Sequence, residues 1–246
     1  MGTWNADIEI NYPIKEIPEG NEKKNMKLIL ILILALCLLS GCTKLPWKDD
    51  DFPPSSWPTV DITANPIPAE DAYAYSQNWR LGRGVNLGNA LEAPKEGEWG
   101  VTLEEEYFQL IAESGFDSVR IPIRWNAHAS SEPPYTIDPA FFDRVDWAVD
   151  QALSRDLVAV INIHHFDELL SSPEEQKDRF LAIWDQIASH YQDYPDGLYF
   201  EMLNEPNGNF GTMYWNKYMA EAISVIRKTN PKRTIVVGPD NWYSIG

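Results

Sequence analysis

Cysteine is nearly absent from this chain of 246 residues: the two it has, Cys37 and Cys42, lie inside or beside one apolar run near the N-terminus. No pair remains elsewhere, which excludes a disulfide framework or a thiolate zinc site for the rest of the molecule. Positive charge is scarce too. Lys and Arg number 20 against 37 Asp and Glu, a net charge of −17, and that balance argues against a nucleic-acid backbone as partner. The apolar run Leu28 to Leu39 has twelve residues, short of the roughly 20 that cross a bilayer. Neither the glycine fingerprint of a dinucleotide fold nor a phosphate-cradling Gly-x-x-x-x-Gly-Lys loop occurs. Present instead are 44% hydrophobic residues with 10 Trp, 11 Tyr and 9 Phe, the material of a packed core.

The N-terminal region reads as an address. Met26-Lys27, the apolar run and Ser40-Gly41-Cys42 form a charged start, an apolar centre and a small-residue cleavage site. Leu39-Ser40-Gly41-Cys42 resembles the bacterial lipobox, which implies cleavage before Cys42, its lipidation, and a lipid-anchored protein exported to the cell envelope. Residues 1–25 are a polar leader ahead of the signal, an unusual position that points to Met26 as the start, and 26–42 are the signal peptide. Residues 43–78 read as a tether: six prolines fall between Thr43 and Ala72, with the run Asp49-Asp50-Asp51. That acidic run is either a surface-export tag or a solvated linker. From Thr43 onward there are 16 basic and 32 acidic residues, so the acidity belongs to the exported part.

Residues 79–246 alternate apolar runs with amphipathic stretches. Strands are expected at Gly84–Leu87, Ser118–Pro122, Leu157–His164, Leu198–Asn204 and Thr234–Gly238. The first helix should open on Thr102-Leu103-Glu104-Glu105 as a capping box and stop at Gly115. The second should open on Asp138 with Pro139 in its first turn and bury Val145, Ala148, Val149 and Ala152. The third should follow Ser172-Pro173-Glu174-Glu175 and bury Phe180, Ile183, Trp184, Ile187 and Tyr191, and a fourth should cover Tyr214 to Lys228. Strand starts about 35 to 40 residues apart leave room for one crossover helix each. Five strands and four helices in this order suit an open doubly wound sheet or part of a (β/α)8 TIM barrel. Polar groups end every strand: Asn89 and Glu92, Arg120 and Arg124, His164 and His165, Asn204 and Glu205, Asp240 and Asn241. That clustering suits the catalytic face of a barrel.

Four of these ends, Gly-x-Asn-x-Gly-Asn-x-x-Glu (Gly84 to Glu92), Arg-Ile-Pro (Arg120 to Pro122), Ile-His-His (Ile163 to His165) and Leu-Asn-Glu-Pro (Leu203 to Pro206), together resemble glycoside hydrolase family 5, the cellulase family. The resemblance covers Trp79 to Gly246 and implies a retaining β-glycosidase that uses no cofactor and acts on a β-linked polysaccharide or oligosaccharide. It implies Glu205 as acid/base, Asn204 on the sugar 2-hydroxyl, Arg120 as partner of the nucleophilic carboxylate and His164 beside the catalytic carboxylates. Asn89, Glu92 and His165 would then bind sugar, with Trp242 as a platform for a sugar face or as core. Trp99, Trp125 and Trp215 are core or cleft, with the core favoured because aromatics mostly pack.

Retention requires a second carboxylate about 5 to 5.5 Å from the first. The family takes it from the seventh strand, beyond the five expected here. Glu201 lies four residues before Glu205, on the same side of a strand but roughly 13 Å away at about 3.3 Å per residue. Glu92 and Asp240 stay open on geometry. The expectation is therefore the first part of an endo-β-1,4-glucanase, inactive as it stands, with an apolar edge at Ile235 to Val237 and Arg120 unpaired. Mannan, xyloglucan or mixed-linkage glucan are alternative substrates. Two other classes stand beside it: a non-catalytic glycan-binding surface lipoprotein, and a metal-dependent barrel hydrolase using His164 and His165 near Asp167 and Glu168. The last requires convergent ligands, and the two histidines diverge if the strand runs through them.

Overall fold

The structure is a computed structural model and describes residues 72–244. The signal, the lipid site at Cys42 and the tether through residue 71 lie outside the described residues.

Helix α1 (Ala72–Leu81) takes residues 72–78 from the stretch expected as tether and runs on through Trp79. It is held by Gln77, whose backbone and side-chain oxygens both accept from the buried Tyr199 hydroxyl. Ser118 Oγ donates to the Leu81 carbonyl. Such polar anchoring carries no apolar period, which is why the helix was not legible as one.

Five strands follow, β1 (Gly84–Asn86), β2 (Ser118–Ile121), β3 (Val158–Asn162), β4 (Leu198–Glu201) and β5 (Ile235–Val236), in one sheet of order β1-β2-β3-β4-β5 with every pair parallel. Between them run α2 (Glu105–Glu113), α3 (Pro139–Leu153), a short α4 (Asp167–Ser171), α5 (Pro173–His190) and α6 (Thr212–Ile226). The β3 and β4 spans are shorter than expected, yet their ladder continues: His164 N donates to Ile123 O at 2.8 Å and Asn204 N to Ile163 O at 2.9 Å.

The two-residue pleat sorts the side chains. Val119, Ile121, Ala159, Ile161, Leu198 and Phe200 face outward into the main core with the helices, whereas Val158, Val160 and Tyr199 form a small inner cluster. All nine residues expected on the core faces of α3 and α5 are buried, Trp184 and Tyr191 among them. This is the layering of a (β/α)8 barrel taken as far as its fifth strand.

Helix termini follow local chemistry unevenly. Asp138 caps α3, its Oδ1 accepting from Ala140 N at 2.9 Å, and Gly115 takes φ +74° just past α2. The Thr102 capping box does not form, because α2 starts at Glu105 and its cap residue Glu104 makes no side-chain bond. The Glu96 carboxylate instead accepts from Leu103 N at 2.8 Å and holds that segment extended. Ser172 likewise precedes α5 without a side-chain cap bond.

Candidate active site

Three indoles fix the strand ends on which the site is built. Trp125 Nε1 donates to Asn162 O at the last residue of β3, Trp184 Nε1 to Met202 O after β4, and Trp215 Nε1 to Gly238 O after β5. Each satisfies a carbonyl that would otherwise lack a partner where the ladder stops. Trp125 and Trp215 are therefore core, as favoured from sequence. Trp99 is not: it is 41% exposed.

Arg120 on β2 is the hub. Its Nε and Nη2 bind the two Glu201 oxygens at 2.6 and 2.7 Å, Nη2 also reaches Asn204 Oδ1 at 2.8 Å, and Nη1 reaches Asn86 Oδ1 at 2.9 Å. The expectation that Arg120 lacks a partner is thus corrected. The pleat already placed Arg120 of β2 and Glu201 of β4 on the same inner face of the sheet, one strand on each side of β3, where a forked guanidinium and a carboxylate mate across it. Burial works against the charge on Arg120, but the Glu201 carboxylate outweighs it and raises the arginine's pKa.

Asn162, fully buried at the end of β3, extends this network. Its Oδ1 accepts from Ile123 N, and its Nδ2 lies 3.1 Å from His164 Nδ1 and 3.4 Å from Glu201 Oε1. Burial, then Arg120 and His165, depress the His164 pKa from 6.5 to about 2. The ring is neutral, and with Asn162 donating to Nδ1 its proton sits on Nε2. Sequence reasoning missed Asn162 and, having set Glu201 aside as a second carboxylate, gave it no role, although the alternation Val158, Val160, Asn162 and Tyr199, Glu201 carried both.

His164 and His165 do not diverge. β3 ends at Asn162, His165 takes φ +51°, and the two rings meet edge to face with centroids 4.5 Å apart. Among the described residues no three His, Cys, Asp or Glu side chains gather as a metal ion would need. Glu205 is exposed just beyond β4 at φ +45°, a left-handed conformation that a side chain adopts at a cost of roughly 1–2 kcal/mol.

The remaining expected positions fall around this centre. Asn89 is exposed at φ +66°. Glu92 is not placed as a free sugar ligand: it is 4% exposed, and its two oxygens accept from Asn89 N and Ala90 N. It shapes the turn that presents Asn89. Asp240 accepts from Thr212 Oγ1 at 2.5 Å. Trp242 is 56% exposed at φ +57°, while its neighbour Tyr243 turns inward and donates to Leu203 O. Burial and the nearby Glu201 push the Tyr243 phenol well above its ordinary pKa.

A parallel sheet with outer helices, and an ion pair, a neutral histidine and an exposed carboxyl gathered at the C-terminal ends of its strands, is the arrangement of a (β/α)8 barrel at the face where that fold carries its sites. The profile of the cellulase family, glycosyl hydrolase family 5, matches residues 80–245, and the chain belongs to that family. It is 42% identical to endoglucanase H of Acetivibrio thermocellus over 165 residues, 67% of this chain and 18% of that protein. It is 33% identical to endoglucanase A of Ruminococcus albus over 158 residues, 60% of this chain and 43% of that one. The endoglucanase Cel5A of Thermotoga maritima superposes with a TM-score of 0.69 at 53% identity, covering 70% of this chain and 56% of Cel5A. That enzyme has been solved in complex with cellobiose and with mannotriose. The chain thus spans under two thirds of each of these relatives.

Proposed function

We propose that this chain is the first part of a retaining endo-β-1,4-glucanase in which Glu205 is the general acid/base. The observation that carries the reading is the hold of Arg120 on Asn204. Because Asn204 Oδ1 accepts from Arg120, the amide turns its N–H groups toward the cleft, where they donate to a sugar 2-hydroxyl as the oxocarbenium-like state develops. The exposed Glu205 next to it protonates the departing glycosidic oxygen and later takes a proton from water. His164, neutral and donating through Nε2, adds a hydrogen bond without bringing a second cation beside Arg120. Asn89 and His165 bind hydroxyls, and Trp242 offers an aromatic face.

The nucleophile is a further carboxylate. Glu201 is engaged by Arg120, Glu92 by two backbone N–H groups and Asp240 by Thr212, so we assign it to a strand after β5. Cellulose-like β-glucan is the first choice of substrate. β-Mannan is the second, favoured by the pairing of Cel5A with both cellobiose and mannotriose. Anchorage to the cell envelope through Cys42 is part of the proposal and rests on the lipobox-like sequence alone.

The test is hydrolysis of soluble cellulose derivatives, β-mannan and xyloglucan by the full gene product, with Glu205→Gln alongside. Hydrolysis with retention of anomeric configuration, and a loss of about 10²–10⁴-fold in the variant, is the expected result. Full activity in Glu205→Gln, or inactivation by a chelator, would sink the reading. An inactive parent that still binds these glycans would leave a glycan-binding lipoprotein in its place.

A further inference from the structure

The segment joining β1 to α2 carries Trp99, and it is held far more firmly than a solvent loop requires. Glu96 pairs with Arg144 of α3 through both oxygens, at 2.7 and 2.8 Å, with side-chain exposures of 18% and 27%. Arg144 also donates to Leu103 O at 2.7 Å and lies over the Trp147 ring, 4.1 Å from its centroid. Between these anchors the chain turns tightly. Gly97 N donates to Val101 O and Gly100 N to Gly97 O, both at 3.0 Å, with the two glycines at φ +87° and +84°.

All this rigidity presents one large apolar side chain to solvent. Trp99 stands with its ring 5.5 Å from His165, centroid to centroid, the planes at 79°. Two aromatic surfaces at nearly a right angle make a corner, one wall exposed and one half-buried, on the β1–β3 side of Glu205. From it His165, His164, Asn162 and Glu201 lead in contact back to Arg120.

We infer that Trp99 and His165 form a binding corner for a pyranose unit distant from the bond that is cut, so that Trp99 selects for long β-glycan chains. The inference rests on the proposed glycan cleft. A pyranose has an apolar C–H face that covers an indole and a rim of hydroxyls that the imidazole nitrogens meet, so a perpendicular pair suits both surfaces at once. A tryptophan kept in place by its loop loses little freedom on binding, which favours affinity.

The experiment is calorimetric titration of cellohexaose and cellobiose into the full gene product carrying Glu205→Gln, which blocks turnover, with and without Trp99→Ala and Trp99→Phe. Cellohexaose should bind about tenfold more weakly in Trp99→Ala, cellobiose should change by less than about twofold, and Trp99→Phe should recover most of the loss. Unchanged cellohexaose binding would overturn the inference, as would an equal loss for both sugars, which would mark Trp99 as support for the centre. The two readings fail separately. Hydrolysis by the parent with no effect of Trp99→Ala removes the corner alone, whereas Trp99-dependent binding without any hydrolysis removes the enzyme reading alone. If neither sugar binds, the corner falls.

Discussion

His164 shows how one buried side chain links the site to stability. The unfolded chain takes up its proton below about pH 6.5, whereas in the fold burial and Arg120 delay uptake to about 2. Between those values protonation favours the unfolded state. The contribution of a neutral His164 is therefore complete above pH 6.5 and is lost as pH falls below it, by about 2 kcal/mol from pH 7 to pH 5. Urea midpoints at the two pH values check this: His164→Gln should show a drop smaller by that amount than the parent. Equal drops would mean that His164 ionises in the fold. Sequence placed this histidine among the functional residues but not its charge state, because that is set by burial in the fold and by Arg120, which acts on it from β2. The same limit explains Arg120. Its need for a partner was legible from a charge inside an apolar run, but the choice of Glu201 depends on which inner-face positions of β2, β3 and β4 share a layer.

At the scale of elements, legibility followed how local the signal is. Helices α2, α3, α5 and α6 and the five strands were readable because apolar period and strand length are written in contiguous residues. Helix α1 was not, since it is tied by hydrogen bonds to Tyr199 and Ser118, far along the chain. Caps divide in the same way. Asp138 acts on its own helix two residues on, so Asp138→Ala should cost about 1 kcal/mol of stability. Thr102 resembles a cap in sequence, but Glu96 and Arg144 set the path of that segment from outside. Thr102→Ala should stay within about 0.5 kcal/mol. Chemical denaturation of both variants separates a cap that forms from one that is only spelled. A loss at Thr102 as large as at Asp138 would contradict the assignment of α2 to Glu105 onward. Where the strand period broke, at His165 and Glu205, it broke at residues with positive φ, and both are in the site. A pattern of alternation cannot report such a turn, yet these turns are what bring the two histidines together and set Glu205 outward.

For the whole molecule, the feature with the largest physical consequence is an open sheet. Among the described residues β1 and β5 each have a strand on one side only. β5 is short, and next to it Val237 is 46% exposed with Ile235 and Val236 half-buried. Unpaired N–H and C=O groups beside apolar side chains form a template for another strand, and barrels avoid this by closing. Expressed alone, the 246-residue chain should therefore self-associate, and light scattering at rising concentration should show species larger than a monomer. A lysine at an edge discourages pairing by carrying an unpaired charge into the contact. Val237→Lys should shift the distribution toward monomer while leaving the unfolding free energy within about 0.5 kcal/mol, because Val237 is outside the core. The two readouts together locate the contact. Association that ignores Val237→Lys would place it elsewhere on the surface, and a monodisperse monomer from the parent chain would show that the edge is harmless. If the variant becomes monomeric without losing stability, the edge of β5 is the surface through which the copies pair.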